Sequence, residues 1–174
     1  IFGAYGGYAG GADSRGSAYI FGKSNGMWQQ IAKLTPGDTT AHDRFGFSVA
    51  ISGDTAIVGA VYADSDHAET GSSYIFREIN GNWQQIAQLV GNDTMPGDHY
   101  GWSVAIDGNV ALVGARWESS LGTDIGAAYV FEEIGGVWQQ VKKLTILDGG
   151  ELRRFGTSMS ISGDTAVIGA PGGE

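Results

Sequence analysis

Cysteine is absent from this sequence, which removes disulfides, thiolate-bound zinc, iron–sulfur clusters and thiol nucleophiles from consideration. Positive charge is scarce: 10 Lys and Arg stand against 19 Asp and Glu, for a net charge of −9. Such a field repels a phosphate backbone and anionic headgroups, so nucleic acid is not expected as a partner. No apolar run approaches the roughly 20 residues of a membrane-spanning helix, and membrane insertion is not expected either. The chain opens on Ile1 with no basic leader ahead of an apolar segment, which suits a processed or excised piece.

What the sequence does have is glycine and repetition. Its 30 glycines are well above the usual share of ~7%, yet they follow no three-residue period, and aromatic and β-branched residues are plentiful. Collagen and simple disorder are both poor fits. The stretch "NGNWQQIAQLV" from Asn80 returns as "NGMWQQIAKLT" from Asn25 and "GGVWQQVKKLT" from Gly135, so Trp28, Trp83 and Trp138 fall at steps of 55 residues. A second set keeps the same phase: "FGFSVAISGDTAIVGA" from Phe45, "YGWSVAIDGNVALVGA" from Tyr100 and "FGTSMSISGDTAVIGA" from Phe155. The period therefore governs whole units.

Each unit reads as four short strands. Phe47, Val49 and Ile51 alternate with Ser48 and Ala50 in the two-residue rhythm of a strand. "TAIVGA" follows after a Gly-Asx pair, Gly53-Asp54, Gly108-Asn109 or Gly163-Asp164, suited to a tight hairpin. "SSYIFREI" from Ser72 and "WQQIAQL" from Trp83 form the third and fourth strands around an Asn/Gly turn. Tandem four-stranded antiparallel units predict an all-β fold, a β-propeller with blades of about 55 residues. Copies side by side shield each other's faces, with Trp83 and Leu89 placed to fill the seams. Gly46, Gly59 and Gly71 read as positions of close backbone approach. A β-trefoil is the rival architecture, but its units are usually shorter and lack the Gly-Ala strand ending. The units divide as a partial blade over 1–44, full blades over 45–99 and 100–154, and a partial blade over 155–174. This predicts an incomplete ring, whose remaining blades come from the same parent chain or an associated one.

The elements Phe45-Gly46 with Gly59-Ala60, Tyr100-Gly101 with Gly114-Ala115, and Phe155-Gly156 with Gly169-Ala170-Pro171 resemble the FG-GAP repeat, best known from the seven-bladed head of integrin α subunits. The likeness covers essentially the whole chain and is closest to the "WQQ"-bearing variants of bacterial secreted and surface proteins. It implies a secreted or cell-surface binding and adhesion module rather than an enzyme, with a protein or carbohydrate ligand. One departure bears on metal: calcium-binding members carry an Asp-rich loop between strands one and two, and here that turn has shrunk to "SGDT", "DGNV" and "SGDT". No cofactor is expected at that position, and Ca²⁺ there is not supported.

Antiparallel order puts the long two-to-three and four-to-one connections at one end of every blade, and these vary between units while the framework stays fixed. Loops on a rigid scaffold are where recognition is expected. Tyr62 and Trp117 hold equivalent places just past Gly-Ala, beside Asp64 and Asp66 in one loop and Arg116 and Glu118 in the other. Aromatics beside charged groups suit a sugar ring or a protein partner, and they also suit a plain lid over the blade end. Asp64, Asp66 and Glu69 offer carboxylates to Ca²⁺, but no other loop repeats their spacing, and the reading preferred is a solvated acidic turn without a cofactor. Asp38, Asp93 and Asp148 keep the period, as do Asp43 and Asp98 with Arg153 in the third place, and these side chains are expected to bond local turn amides. His42, His67 and His99 show no HExxH spacing, and no G-x-S-x-G elbow occurs. The alternatives are a propeller of a secreted polysaccharide-active enzyme and a structural element of a surface filament or matrix.

Overall fold

A computed structural model describes residues 1–6, 15–38, 42–63, 70–146 and 152–172. The strands are β1 (Phe2–Ala4), β2 (Ser17–Ser24), β3 (Met27–Leu34), β4 (Phe45–Ser52), β5 (Thr55–Ala60), β6 (Ser72–Ile79), β7 (Asn82–Leu89), β8 (Tyr100–Asp107), β9 (Val110–Ala115), β10 (Ala127–Ile134), β11 (Val137–Leu144), β12 (Ser158–Ser162) and β13 (Thr165–Gly169). No helix occurs among the described residues. Two four-stranded sheets, β4-β5-β6-β7 and β8-β9-β10-β11, lie between the three-stranded β1-β2-β3 and the hairpin β12-β13.

Local chemistry sets the hairpins. Asn25-Gly26 and Asn80-Gly81 take positive φ at both positions, 51° and 80° in the first and 52° and 82° in the second, as a type I′ turn requires. Gly135-Gly136 does the same at 61° and 82°. In each full sheet the third and fourth strands slip register once, between Ile75 and Phe76 and between Val130 and Phe131, and β2 repeats this between Ile20 and Phe21.

The sheets stack face to face, with their first strands close together (β4 against β8, β8 against β12) and their fourth strands splayed apart. This radial fan of separate antiparallel sheets is the blade arrangement of a β-propeller; a trefoil barrel would have joined the units into one closed sheet.

Two apolar seams hold the fan. Val58, Tyr74, Phe76 and the half-buried Trp83 meet Ile20 and Leu34 of the preceding sheet. One period on, Val113, Tyr129, Phe131 and Trp138 meet Ile57, Ile75 and Leu89. Each sheet thus turns an aromatic face to the preceding sheet and an aliphatic face to the following one. The expected seam position holds for Trp83, Leu89 and Trp138. Trp28 departs from it, being 69% exposed. It belongs to the aromatic face of β1-β2-β3, where it lines an open groove of ≈ 770 Å³ with Phe2, Tyr19 and Phe21, and no described residue supplies the aliphatic face that covers its equivalents.

The repeated Gly pairs form a backbone socket at every seam. A Cβ added at Gly3, Gly59 or Gly114 would lie 1.9, 2.2 or 2.2 Å from the carbonyl oxygen of Gly46, Gly101 or Gly156 in the next sheet. The Ser48 and Ser103 hydroxyls donate to the Gly101 and Gly156 carbonyls at 2.8 and 2.6 Å. A second tie runs from Phe45 N to Arg15 O (2.9 Å), Tyr100 N to Thr70 O (3.2 Å) and Phe155 N to Ile125 O (2.8 Å). Farther out, Arg77 donates through both terminal nitrogens to Glu133 across the second seam, at 2.9 and 2.8 Å.

Candidate functional site

The residue before each Phe/Tyr-Gly element starts a tight turn. Arg44 and His99 both have φ 55°, Gly46 and Gly101 follow at 88° and 83°, and the amides of Phe47 and Trp102 bond back to the carbonyls of Arg44 and His99 at 3.1 and 3.2 Å. Pairing skips from Phe45 to Ser48 and from Tyr100 to Ser103, so Phe47 and Trp102 leave the ladder as a two-residue bulge. The loop after Gly-Ala is tied to the same place: Tyr62 N donates to Asp43 O at 3.3 Å, and Trp117 N to Asp98 O at 3.2 Å. The two full units therefore set Arg44 against Tyr62 and His99 against Trp117, the aromatics that follow Gly-Ala.

Across units these pairs join into a ladder. The Arg44 guanidinium lies 4.5 Å from the Tyr62 ring centroid, Tyr62 meets His99 edge-on at 5.1 Å, and His99 reaches Trp117 at 4.1 Å. His99 also lies parallel to Trp102, at 5.8 Å and 8°. Arg116 sits 3.7 Å over Trp102 and 4.8 Å from Trp117, and Phe47 and Tyr5 extend the row at 4.7 and 5.1 Å.

The electrostatics of this cluster are unusual for an acidic chain. Burial, helped by the nearby Arg116 and Arg44 charges, holds the His99 imidazole down at about 4, so it is neutral at pH 7. Burial and Arg154 lower Arg116 from its ordinary value. His99 Nδ1, Arg116 Nε and Trp117 Nε1 are buried without a hydrogen-bond partner, although buried polar atoms are ordinarily satisfied.

Of the residues singled out from the sequence, Tyr62, Arg116 and Trp117 come together here. Asp64 and Asp66, with His67 and Glu69, lie outside the described residues. Glu118 turns inward: it is 2% exposed, lies 3.1 Å from Lys143 and accepts from Ser120 N at 2.8 Å. Lys143 also bonds Asp93 at 2.6 Å, and Asp93 accepts the Tyr129 hydroxyl at 2.8 Å. Burial raises Asp93, but the bonds from Lys143 and Tyr129 outweigh it and hold the carboxyl below its ordinary value. Asp93 thus ties strands together, where a purely local turn bond was expected; Asp38 bonds Tyr74 in the same way, and Asp148 lies outside the described residues. Asp98 does cap its own turn, accepting from Met95 N at 2.7 Å. Its pKa is raised to about 6, first by burial and then by the Glu118 charge.

Arg44, Phe47, His99 and Trp102 are the members that sequence reasoning missed. The signal was a basic residue at one fixed place before Phe/Tyr-Gly and an aromatic at one fixed place after it. Among the described residues no group of three His, Asp or Glu is placed to hold a metal ion, and Asp54 in the first hairpin turn is bonded by the Thr55 hydroxyl at 2.8 Å. The groove beside Trp28 is a separate feature on the outer sheet face, with apolar walls matching those buried in the seams.

The family described as FG-GAP repeat matches residues 28–76, 83–131 and 138–174. No curated protein matches the chain.

Proposed function

We propose a non-catalytic binding role for this chain, from the premise that it belongs to the FG-GAP repeat family. The fold alone leaves function open, because one scaffold hosts many activities. The observation that carries the reading is the ladder formed by Arg44, Tyr62, His99, Trp102, Arg116 and Trp117 at the loop end of the blades. It joins aromatic faces, cations and unused donors on a framework that repeats without change, as recognition sites on rigid scaffolds do. The module serves a secreted or cell-surface protein and takes a protein or glycan ligand, without a metal at the first hairpin turns.

A glycan array and a pull-down, each run with the unaltered protein and with the double variant Tyr62→Ala/Trp117→Ala, test this reading. Hits lost in the variant support it; hits that persist unchanged refute the site. A second reading, a structural element of a filament or matrix, is favoured by the aromatic face on which Phe2 and Trp28 are 64% and 69% exposed. Concentration-dependent assembly in sedimentation, abolished by Trp28→Ser and indifferent to added ligand, would favour it instead.

A further inference from the structure

We infer that the Arg116–His99–Trp117 cluster is a subsite for a carboxylate-bearing sugar, one acidic residue at the end of an otherwise neutral glycan. The inference rests on the binding role above and specifies its ligand.

Arg116 and His99 both pack against Trp117, and each of the three keeps a buried polar nitrogen without a partner: Arg116 Nε, His99 Nδ1 and Trp117 Nε1. The guanidinium and the indole are donors only, and the neutral imidazole donates or accepts at Nδ1. His99 is 7% exposed. Idle donors in a buried place cost stability until an acceptor arrives. The group they suit is an oxyanion, and a planar carboxylate matches the guanidinium fork. Arg44 and Arg154 add positive charge, since their fields reach His99 and Arg116 respectively, and at Arg116 the Arg154 field outweighs that of the Asp124 carboxylate.

The remaining features narrow the carrier. Tyr62 and Trp117 are only half-buried, leaving apolar ring surface beside the cation, which suits the CH face of a pyranose. The net charge of −9 repels a densely charged polyanion from the molecule as a whole. A single carboxylate meets the local cation without that penalty.

The test is calorimetric titration with a disaccharide ending in glucuronic acid, its methyl ester, its glucose-ended analogue and an Asp-bearing peptide. The acid is expected to bind about tenfold or more tightly than the ester and the neutral sugar, the range of one charge-assisted contact. Arg116→Gln should weaken the acid by about tenfold or more, while Arg116→Lys, which keeps the charge but not the fork, should lose less. In imidazole NMR the His99 titration should move upward from about 4 when the acid saturates the site, because a bound anion favours the protonated ring. Retained folding of the variants is checked by thermal unfolding. If Arg116→Gln does not fold, Trp117→Phe removes the indole N–H and keeps a ring, and should weaken the acid severalfold.

Equal binding of acid and ester, absence of binding by the acid, binding of the peptide alone, or an unaffected Arg116→Gln would each overturn the inference. If the acid fails while another array ligand is lost in Tyr62→Ala/Trp117→Ala, the binding role stands and only the carboxylate subsite falls.

Discussion

Replacing Gly114 by Ala tests the socket that joins one blade to the next. The new Cβ would lie 2.2 Å from the Gly156 carbonyl oxygen and 2.5 Å from Ser103 Oγ, where ordinary contact begins at 3.4 Å. The obstacle is backbone, which cannot rotate away, so one sheet must shift by about an ångström against its neighbour. Gly114 is not in the left-handed region, whereas Gly156 has φ +86°; the Gly114 change therefore reports contact alone. Overpacking of this kind costs about 1–3 kcal/mol, and loss of the 2.6 Å bond from Ser103 to Gly156 adds about 1 kcal/mol. A total near 3 kcal/mol corresponds to a Tm lower by roughly 6–12 °C for a chain of this size. Gly37→Ala is the control, because a Cβ there meets nothing within 4 Å, and it should be neutral or stabilise by up to about 1 kcal/mol. Urea unfolding of both variants decides the matter. If Gly114→Ala unfolds within about 0.5 kcal/mol of the unaltered protein, the socket is not a close backbone contact and the seam geometry is wrong.

Trp138→Ala, which empties a position only 9% exposed in a seam, should destabilise by about 3–5 kcal/mol, whereas Trp28→Ala at 69% exposed should cost under about 1 kcal/mol in the same unfolding assay. A double-mutant cycle on Arg77 and Glu133 should give a coupling of at most about 1 kcal/mol that shrinks with salt, because both side chains are partly solvated. Its hydrogen bond to Arg77 holds Glu133 below its ordinary 4.5, so the coupling is present above that value and lost as pH falls through the folded one. His99 titrates lower in the folded state (about 4) than its ordinary 6.5, so the unfolded chain binds the extra proton first and acidification from 6.5 to 4 removes stability. Asp98, raised to about 6 from 3.8, acts oppositely, since the folded chain takes up its proton first. Stability should therefore change little between pH 6 and 4, and His99→Gln should uncover a gain on acidification across that window, read by urea unfolding at each pH; a parallel pH profile for both proteins would contradict the assignment.

Hairpins, blades and the two glycines of each socket were legible because their causes are local or periodic. An Asn-Gly pair sets its own turn, and a glycine recurring every 55 residues points to a contact made in every unit. The ladder was not legible for the opposite reason. Phe47 read as an ordinary alternating strand residue, and only the bulges after Phe45 and Tyr100 take it and Trp102 out of the sheet. His99 looked like one of several unrelated histidines, because its partners Tyr62 and Trp117 sit in two different units and meet it only once those units stack. Asp93 shows the same limit: its bond to Tyr129 spans 36 residues and depends on strand placement that no single turn encodes.

The socket between blades has two unlike halves: Gly59 and Gly114 receive, and Gly101 and Gly156 insert. Both full units carry one of each, so duplicating either of them creates a matched joint on both sides without altering a residue. Arrays of this kind can change length in single genetic events, and their joints impose a direction, as links in a chain of hooks and eyes do.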